Sequence, residues 1–217
     1  MNDEKPGIWE MVVVHRVFRR EFGALPAYIR AVRAGDTDRA AVLAEHLKDI
    51  LTGLHHHHET EDRMLWPLLL ERASPEKDLI LTMEAQHERV AALIPAIEDL
   101  LPGWVAEAAP ARGERIAALV AELSGELDAH LKQEEEEILP LVTRHVTVEE
   151  WESLGEAGRE SIPKDKLLVS LGAILEEATP RERADFLAKL PLVARIVWML
   201  VGRRQYAAAT NRIRTYR

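Results

Sequence analysis

Two stretches of the sequence repeat the same spacing of a histidine, a glutamate and a proline. In each stretch the histidine precedes the glutamate by four residues and the proline follows the glutamate by six, which gives His57, Glu61 and Pro67 in the first and His130, Glu134 and Pro140 in the second. Four residues advance an α-helix by about 6 Å and rotate it by about 40°, so the histidine and the glutamate share one helix face. Side chains of these two types on one face predict ligation of a common metal ion.

A single histidine precedes each of these pairs at nearly the same distance. His15 lies 42 residues before His57, and His87 lies 43 residues before His130. The apolar residues of each predicted helix fall on the same side as these histidines and the two glutamates, which predicts that all six side chains point into a core. Buried carboxylates need compensation, and Arg19, one turn after His15, is the one cation nearby that could pair with one of them. We therefore interpret the six residues as a metal cage.

The number of ligands indicates two metal ions. Six protein ligands are more than one ion with an open position needs, whereas two ions could each take two histidines and share the two carboxylates. Histidine and carboxylate ligands without thiolate suit iron, manganese or zinc. Iron gains most from this arrangement, because shared carboxylates hold two redox-active ions close together and leave positions for oxygen, peroxide or nitric oxide.

A competing pair with the same spacing stands one residue later. His58 and Asp62 are rotated by about 100° from His57 and Glu61. The match with the fourth helix favours His57 and Glu61, and we expect His58 to lie beside the ligands. Glu135 is expected to hydrogen-bond a ligand. The remaining candidates are assigned elsewhere: His46 to the core or a channel, His55 and His56 to solvent, His145 to a loop and Tyr206 to the surface.

The elements that must position these residues are helices. Apolar residues recur every three or four positions and the alternation typical of strands is almost absent, so the chain is predicted to be all-α. The candidate ligands fall on four predicted helices, covering about residues 8–33, 37–72, 75–101 and 114–139. Ser74 and Pro75 are expected to start the third helix, and PGWVAEAAPARG is expected to be a loop. The short connections favour an up-down-up-down four-helix bundle within residues 1–146.

Residues 147–217 are predicted to form a helical C-terminal extension. Two capping boxes predict helix starts within it, formed by Thr147 with Glu150 and by Thr179 with Glu182. From Arg181 onward the chain carries a net charge of +7, against −16 for the remainder. This balance favours packing of the tail on the acidic bundle. The competing interpretation is a basic amphipathic helix that contacts a membrane surface or a partner.

The composition excludes several classes of function. The chain has 217 residues, a net charge of −9 and no cysteine. The negative charge argues against a nucleic-acid-binding protein, and the lack of cysteine excludes thiol catalysis, thiolate metal sites and disulfides. The N-terminal residues do not have the pattern of a signal peptide, and the apolar run from Leu190 to Val201 is too short to span a bilayer. We expect a soluble cytoplasmic protein without a membrane span.

With these motifs the sequence resembles the hemerythrin family, and more narrowly the bacterial HHE cation-binding proteins. The resemblance rests on His15 in HRVFR, His57 and Glu61 in HHHHETEDRMLWP, His87 in QHERV, and His130 and Glu134 in HLKQEEEEILP. It implies that these six residues ligate two non-haem iron ions, with Glu61 and Glu134 bridging. Oxygen carriers of the family have a fifth histidine one turn after the third-helix ligand, where this sequence has Ala91. This departure argues against reversible oxygen carriage and implies a more open iron.

The predicted function is reaction of a di-iron centre with oxygen or peroxide, as in catalase-like detoxification during oxidative stress. One competing hypothesis is a module that senses oxygen or nitric oxide, or binds iron, without turnover. Another is an interaction scaffold with zinc or no metal in the site. The predicted partner is a small diatomic or peroxide ligand, and no sequence feature fixes an oligomeric state.

Overall fold

The computed structural model describes residues 5–215, and every regular element within that range is helical, which confirms the all-α prediction. The α-helices are, in chain order, α1 (Trp9–Arg30), α2 (Thr37–Met64), α3 (Trp66–Arg72), α4 (Lys77–Glu98), α5 (Leu101–Glu107), α6 (Pro110–Gln133), α7 (Leu139–His145), α8 (Val148–Glu160), α9 (Leu167–Glu177), α10 (Pro180–Lys189), α11 (Leu192–Val197) and α12 (Arg203–Arg214). A 3₁₀ turn covers Ser74–Glu76, and π-helical segments cover Glu134–Ile138 and Trp198–Gly202.

The helices divide into two compact units. The first comprises Phe18–Ser161 with a short N-terminal stretch, and the second comprises Trp9–Val17 with the chain from Ile162 onward. Helix α1 therefore supplies its first turns to the second unit and its remainder to the first.

The core of the first unit is built on α2, which packs against α4, α5 and α8, while α4 packs against α6. Four helices contribute fully buried apolar side chains to it, among them Phe22 and Leu25 of α1, Leu47 and Leu54 of α2, Ile80 and Met83 of α4, and Ile116 and Leu123 of α6. Burial of these side chains is the main force that holds the helices together. They are the same four helices that carry the predicted ligands.

Several local predictions in the first unit are wrong. The segment PGWVAEAAPARG is not a loop throughout, because its first six residues belong to α5. Pro102 suits the first turn of that helix, and the Trp104 side chain is 1% exposed, so burial of a large aromatic group stabilises the helix. Helix α6 begins earlier than predicted, at Pro110, again with proline in the first turn. Ser74 does not cap α4, because the 3₁₀ turn intervenes and no side chain caps that helix.

Both predicted capping boxes are confirmed. At the start of α8 the Thr147 hydroxyl accepts from the Glu150 backbone N–H, and the Glu150 carboxylate accepts from the Thr147 backbone N–H. The same two bonds join Thr179 and Glu182 at the start of α10. Each box satisfies two backbone donors that a helix start would otherwise leave to solvent.

In the second unit, α9 and α12 pack closely. Gly172 of α9 lies against the ring of Tyr206, and a Cβ at this position would overlap that ring. Tyr206, expected at the surface, is therefore half-buried. Trp9 and Phe186 make an edge-to-face contact with ring centroids 5.0 Å apart. None of the helices that the structure describes combines the length and the hydropathy of a segment that crosses a bilayer.

Candidate metal centre

Five of the six predicted ligands lie in the first unit, on α2, α4, α6 and the π-helical segment that follows α6. All are shielded from solvent: Glu61, His130 and Glu134 are 0% exposed, His87 is 3% exposed and the His57 side chain is 11% exposed. The π-helical segment begins at Glu134, and such segments within α-helices are frequent at functional sites. The sixth predicted ligand, His15, is fully buried on α1.

The imidazoles of His87 and His130 face each other across the gap between α4 and α6. Their Nε2 atoms lie 3.1 Å apart. His87 Nδ1 lies 2.6 Å from an Asp62 carboxylate oxygen, and His130 Nδ1 lies 2.9 Å from the Gln86 amide oxygen. These acceptors favour the tautomer of each ring that carries a proton on Nδ1, in which two Nε2 lone pairs face each other.

A cation between the two rings would resolve this unfavourable contact. Nitrogens bound at about 2.1 Å to one ion stand roughly 3.0–3.4 Å apart at the usual ligand angles, and the observed separation of 3.1 Å lies in that range. Histidine and carboxylate donors without thiolate suit iron, manganese or zinc. The donor set therefore fits the metal that the sequence predicts.

Hydrogen bonds from neighbouring residues hold both rings in place. The Asp62 carboxylate that accepts from His87 also accepts from Trp66 Nε1, at 2.8 Å. Gln86, which accepts from His130, donates through Nε2 to Gln133 at 2.8 Å. Ligand histidines in metal sites commonly donate their second ring N–H in this way, which fixes the tautomer and the ring orientation.

Glu61 joins the two halves of the site. One of its carboxylate oxygens lies 3.4 Å from His57 Nε2, and the other lies 3.5 Å from His87 Nε2. Burial raises the pKa of Glu61 well above its usual range, and the negative charges of Glu134 and Asp62 raise it further. A metal ion beside this carboxylate would supply the missing positive charge.

The candidate donor atoms fall into two groups. In the first group, His58, Glu61, His87 and His130 each offer an atom, and these atoms lie within 4.8 Å of one another. In the second group, His57, Glu61 and Glu134 meet the same limit. Glu61 is in both groups. Glu134 borders the first group as well, because one of its oxygens lies 3.6 Å from His130 Nε2.

His58 is not among the ligands predicted from the sequence. It is 6% exposed. Its ring stacks on that of His87 with centroids 3.9 Å apart and meets that of His130 edge to face at 5.2 Å. The sequence signal for His58 is its spacing of four residues from Asp62. Both residues border the site in the structure. His58 is a candidate donor, and Asp62 accepts the hydrogen bond from His87.

Charged residues close to the site pair with one another. Arg19 donates to Glu135 at 2.6 Å and to Asp128 at 2.7 Å. From the sequence, Arg19 is a candidate partner for a buried ligand carboxylate, and Glu135 is a candidate partner for a ligand. The structure joins these two candidates in one ion pair between α1 and the π-helical segment.

The other histidines have varied surroundings. His46 Nε2 lies 2.8 Å from a Glu21 carboxylate oxygen. Burial alone would raise the pKa of Glu21, but the hydrogen bond and charge of His46, together with Arg20, hold it below its usual value. His145 ends α7, so its assignment to a loop is wrong. His55, His56 and Glu59 lie together on the exposed side of α2, outside the two buried donor groups.

The comparisons with known proteins support a metal-binding domain. The family described as hemerythrin HHE cation binding domain matches residues 7–142, which contain both donor groups. No curated protein and no solved structure matches the chain significantly.

Proposed function

Since the chain belongs to the hemerythrin HHE cation-binding domain family, we propose that its two donor groups each hold an iron ion and that the di-iron centre consumes peroxide. The observation that carries this proposal is the position of Glu61 between His57 and His87, at 3.4 Å and 3.5 Å. A carboxylate within reach of both donor groups suits two neighbouring ions that share it, rather than two separate single-ion sites.

One ion would take His58, His87, His130 and Glu61. The other would take His57, Glu61 and Glu134, and Glu134 is also near enough to His130 to bridge. This assignment keeps the predicted bridging role of both glutamates. It adds His58 to the six ligands that the sequence predicts.

We assign His15 to the second ion. It is fully buried on α1, and the residues that follow it on the same helix border the site. The ring of Phe18, three residues on, lies 5.3 Å from the ring of His57. Arg19, four residues on, pairs with Glu135, the neighbour of Glu134. Residues three and four apart share a helix face, which supports His15 as a further ligand of the second ion.

Iron supplies the redox chemistry that peroxide disproportionation requires. In that reaction two molecules of hydrogen peroxide give two of water and one of oxygen. One peroxide is reduced and the other is oxidised, so no further reductant or oxidant is consumed. The contributions of this chain are positional: Asp62 and Gln86 orient the two facing imidazoles, and the buried core around the site limits access of bulk water.

A second candidate function is reversible binding of oxygen or nitric oxide without turnover. The observation that favours it is His58. The sequence argues against oxygen carriage through the alanine at position 91, where carriers have a fifth histidine. His58 supplies a fifth histidine from α2, so the count of donors no longer argues against this function.

Oxygen evolution separates the two candidates. We expect the iron-loaded chain to release one oxygen for every two peroxides added, and we expect His57→Ala and His130→Ala to lose this activity. His55→Ala on the exposed side of α2 is the matched control and should retain it. Peroxide loss no faster than with free iron would contradict the proposal. A reversible absorption change with oxygen or nitric oxide, in the absence of turnover, would establish the second candidate instead.

A further inference from the structure

The second unit exposes an unusual concentration of apolar side chains. Seven large apolar residues within ten positions are 40–72% exposed: Leu192, Val193, Ile196, Val197, Met199, Leu200 and Val201. Elsewhere in the part of the chain that the structure describes, Leu81 and Leu167 are the large apolar residues with comparable exposure. Contiguous apolar surface on a globular protein marks an interaction site. We call these seven residues the apolar face.

The helix that carries the apolar face is fixed from its opposite side. Trp198 is 8% exposed, and its ring lies against Gly202, where a Cβ would overlap it. Leu168 of α9 reaches the same glycine. At about 100° per residue the seven exposed positions cover roughly 200° of the helix circumference. The exposed sector is therefore wide, and the packing of Trp198 keeps it turned outward within this unit.

The charged side chains in the segment that carries the apolar face are all basic. Residues 190–217 contain six arginines and no aspartate or glutamate, although the whole chain carries a net charge of −9. Arg203 and Arg204 are exposed directly after the last residues of this helical stretch, and Arg195 lies within the span of the apolar face. A wide apolar sector bordered by arginines complements a surface that is apolar inside and anionic at its rim.

We propose that the apolar face docks on an anionic lipid bilayer, with the helix parallel to the membrane plane. The apolar side chains enter the boundary of the acyl chains, and Arg203 and Arg204 meet the lipid phosphates. Self-association through the same face fits less well, because a symmetric contact would bring the arginines of both copies into one interface with no acid in residues 190–217 to neutralise them. The docking involves no bilayer-crossing helix and is independent of the metal centre.

Sedimentation of the full chain with lipid vesicles tests the proposal. We expect the chain to sediment with vesicles made of equal parts of phosphatidylglycerol and phosphatidylcholine, much less with phosphatidylcholine alone, and less as salt is added. Val193→Glu and Leu200→Glu should each lower the affinity for the mixed vesicles by at least about tenfold. Both positions are well exposed, at 72% and 67%, so the substitutions leave the packing intact. The double variant R203E/R204E should lose the preference for anionic lipid.

Leu81→Glu on α4 is the matched control, since Leu81 is exposed but lies in the first unit. It should bind vesicles as the unsubstituted chain does, and helix content by circular dichroism should be unchanged in every variant. Absence of sedimentation with both vesicle types would overturn the proposal, as would an equal loss in Leu81→Glu. A dimer that Leu200→Glu dissociates, without any vesicle binding, would assign the apolar face to a second copy of the chain and overturn it too. Binding to an acidic protein but not to lipid would have the same consequence.

Discussion

The imidazole rings of His58 and His87 are stacked, with centroids 3.9 Å apart and planes 9° apart. The stack joins α2 to α4 directly at the site. It places a third histidine beside the facing Nε2 atoms of His87 and His130. The first donor group thus has three histidines and one carboxylate.

Removal of His58 should weaken metal binding at one of the two positions. We expect His58→Ala to lower the affinity for the more weakly held ion by at least about tenfold, because the loss of a donor costs at least as much as the loss of a residue that only orients one. Competition with a coloured chelator measures this affinity. His55→Ala should be indistinguishable from the unsubstituted chain. Retention of both ions with unchanged affinity in His58→Ala would show that this residue only stacks on a ligand.

Asp62 should matter through the histidine that it orients. Its carboxylate accepts from both His87 and Trp66. Asp62→Asn therefore keeps the shape of the side chain but removes the charge that strengthens His87 as a metal ligand. We expect a loss of about tenfold to a hundredfold in metal affinity in the same chelator assay. Glu59→Gln, an acid-to-amide change on the exposed side of α2, is the control. An equal effect of the two substitutions would contradict the orienting role.

Metal removal should expose the cost of the buried carboxylates. We expect chelation to lower the melting temperature, because the pKa of Glu61 is raised by burial and by the charges of Glu134 and Asp62 once no cation is present. In the metal-free protein Glu61→Gln should raise the free energy of unfolding by about 1 kcal/mol, although it weakens metal binding. Urea denaturation of both proteins, with and without metal, gives these values. A metal-free Glu61→Gln protein that is less stable than its parent would be inconsistent with this cost.

The contact between α3 and α8 should make stability depend on acid pH. Arg72 donates to both carboxylate oxygens of Glu150 at 2.7 Å, and this hydrogen-bonded pair lowers the pKa of Glu150 to about 2. A carboxylate whose pKa is lower in the folded state stabilises the fold above its unfolded value, near 4.5, and loses that contribution as the pH falls towards 2. The pair is partly exposed, so its contribution is below about 1 kcal/mol.

The test compares Glu150→Gln with the unsubstituted chain by urea denaturation at two pH values. The variant should be less stable at about pH 6, and the difference should shrink at about pH 3. A difference in stability that does not change with pH would show that the charge of Glu150 is not its cause. The substitution isolates the charge because the glutamine side chain in Glu150→Gln could still accept from the Thr147 backbone N–H.

The sequence predicted the helices and the closeness of the two histidine–glutamate pairs because both depend on periodicity. Apolar residues at helical spacing identify the core side of each helix, and the spacing of His57 and Glu61 is matched by that of His130 and Glu134. His58 was not predicted as a donor because it is rotated by about 100° from His57 around the helix axis. That rotation directs it away from the single helix face on which the site was expected. The structure places donor partners on both sides of α2, so that two adjacent histidines enter two different groups. Pairing of Arg19 with Glu135 depends on tertiary contact, which spacing alone does not reveal.

Helix α5 was missed for a related reason. Its sequence contains glycine and proline, which are typical of loops, but proline suits a first helical turn, and Trp104 finds a buried position that only the tertiary fold provides. The C-terminal extension shows the same contrast between features set by local sequence and features set by tertiary packing. Its charge and its capping boxes are local and were predicted, whereas exposure of the apolar face depends on which side of the helix Trp198 anchors.

The proposal that this chain holds two iron ions in two donor groups sharing Glu61 calls for a count of the metal. Elemental analysis of metal per chain, with an absorption spectrum of the same iron-loaded sample, gives that count. We predict two irons per chain and charge-transfer absorption in the near ultraviolet, with both lost in His130→Ala. Zinc in place of iron, or well under one metal per chain after iron loading, would contradict the proposal.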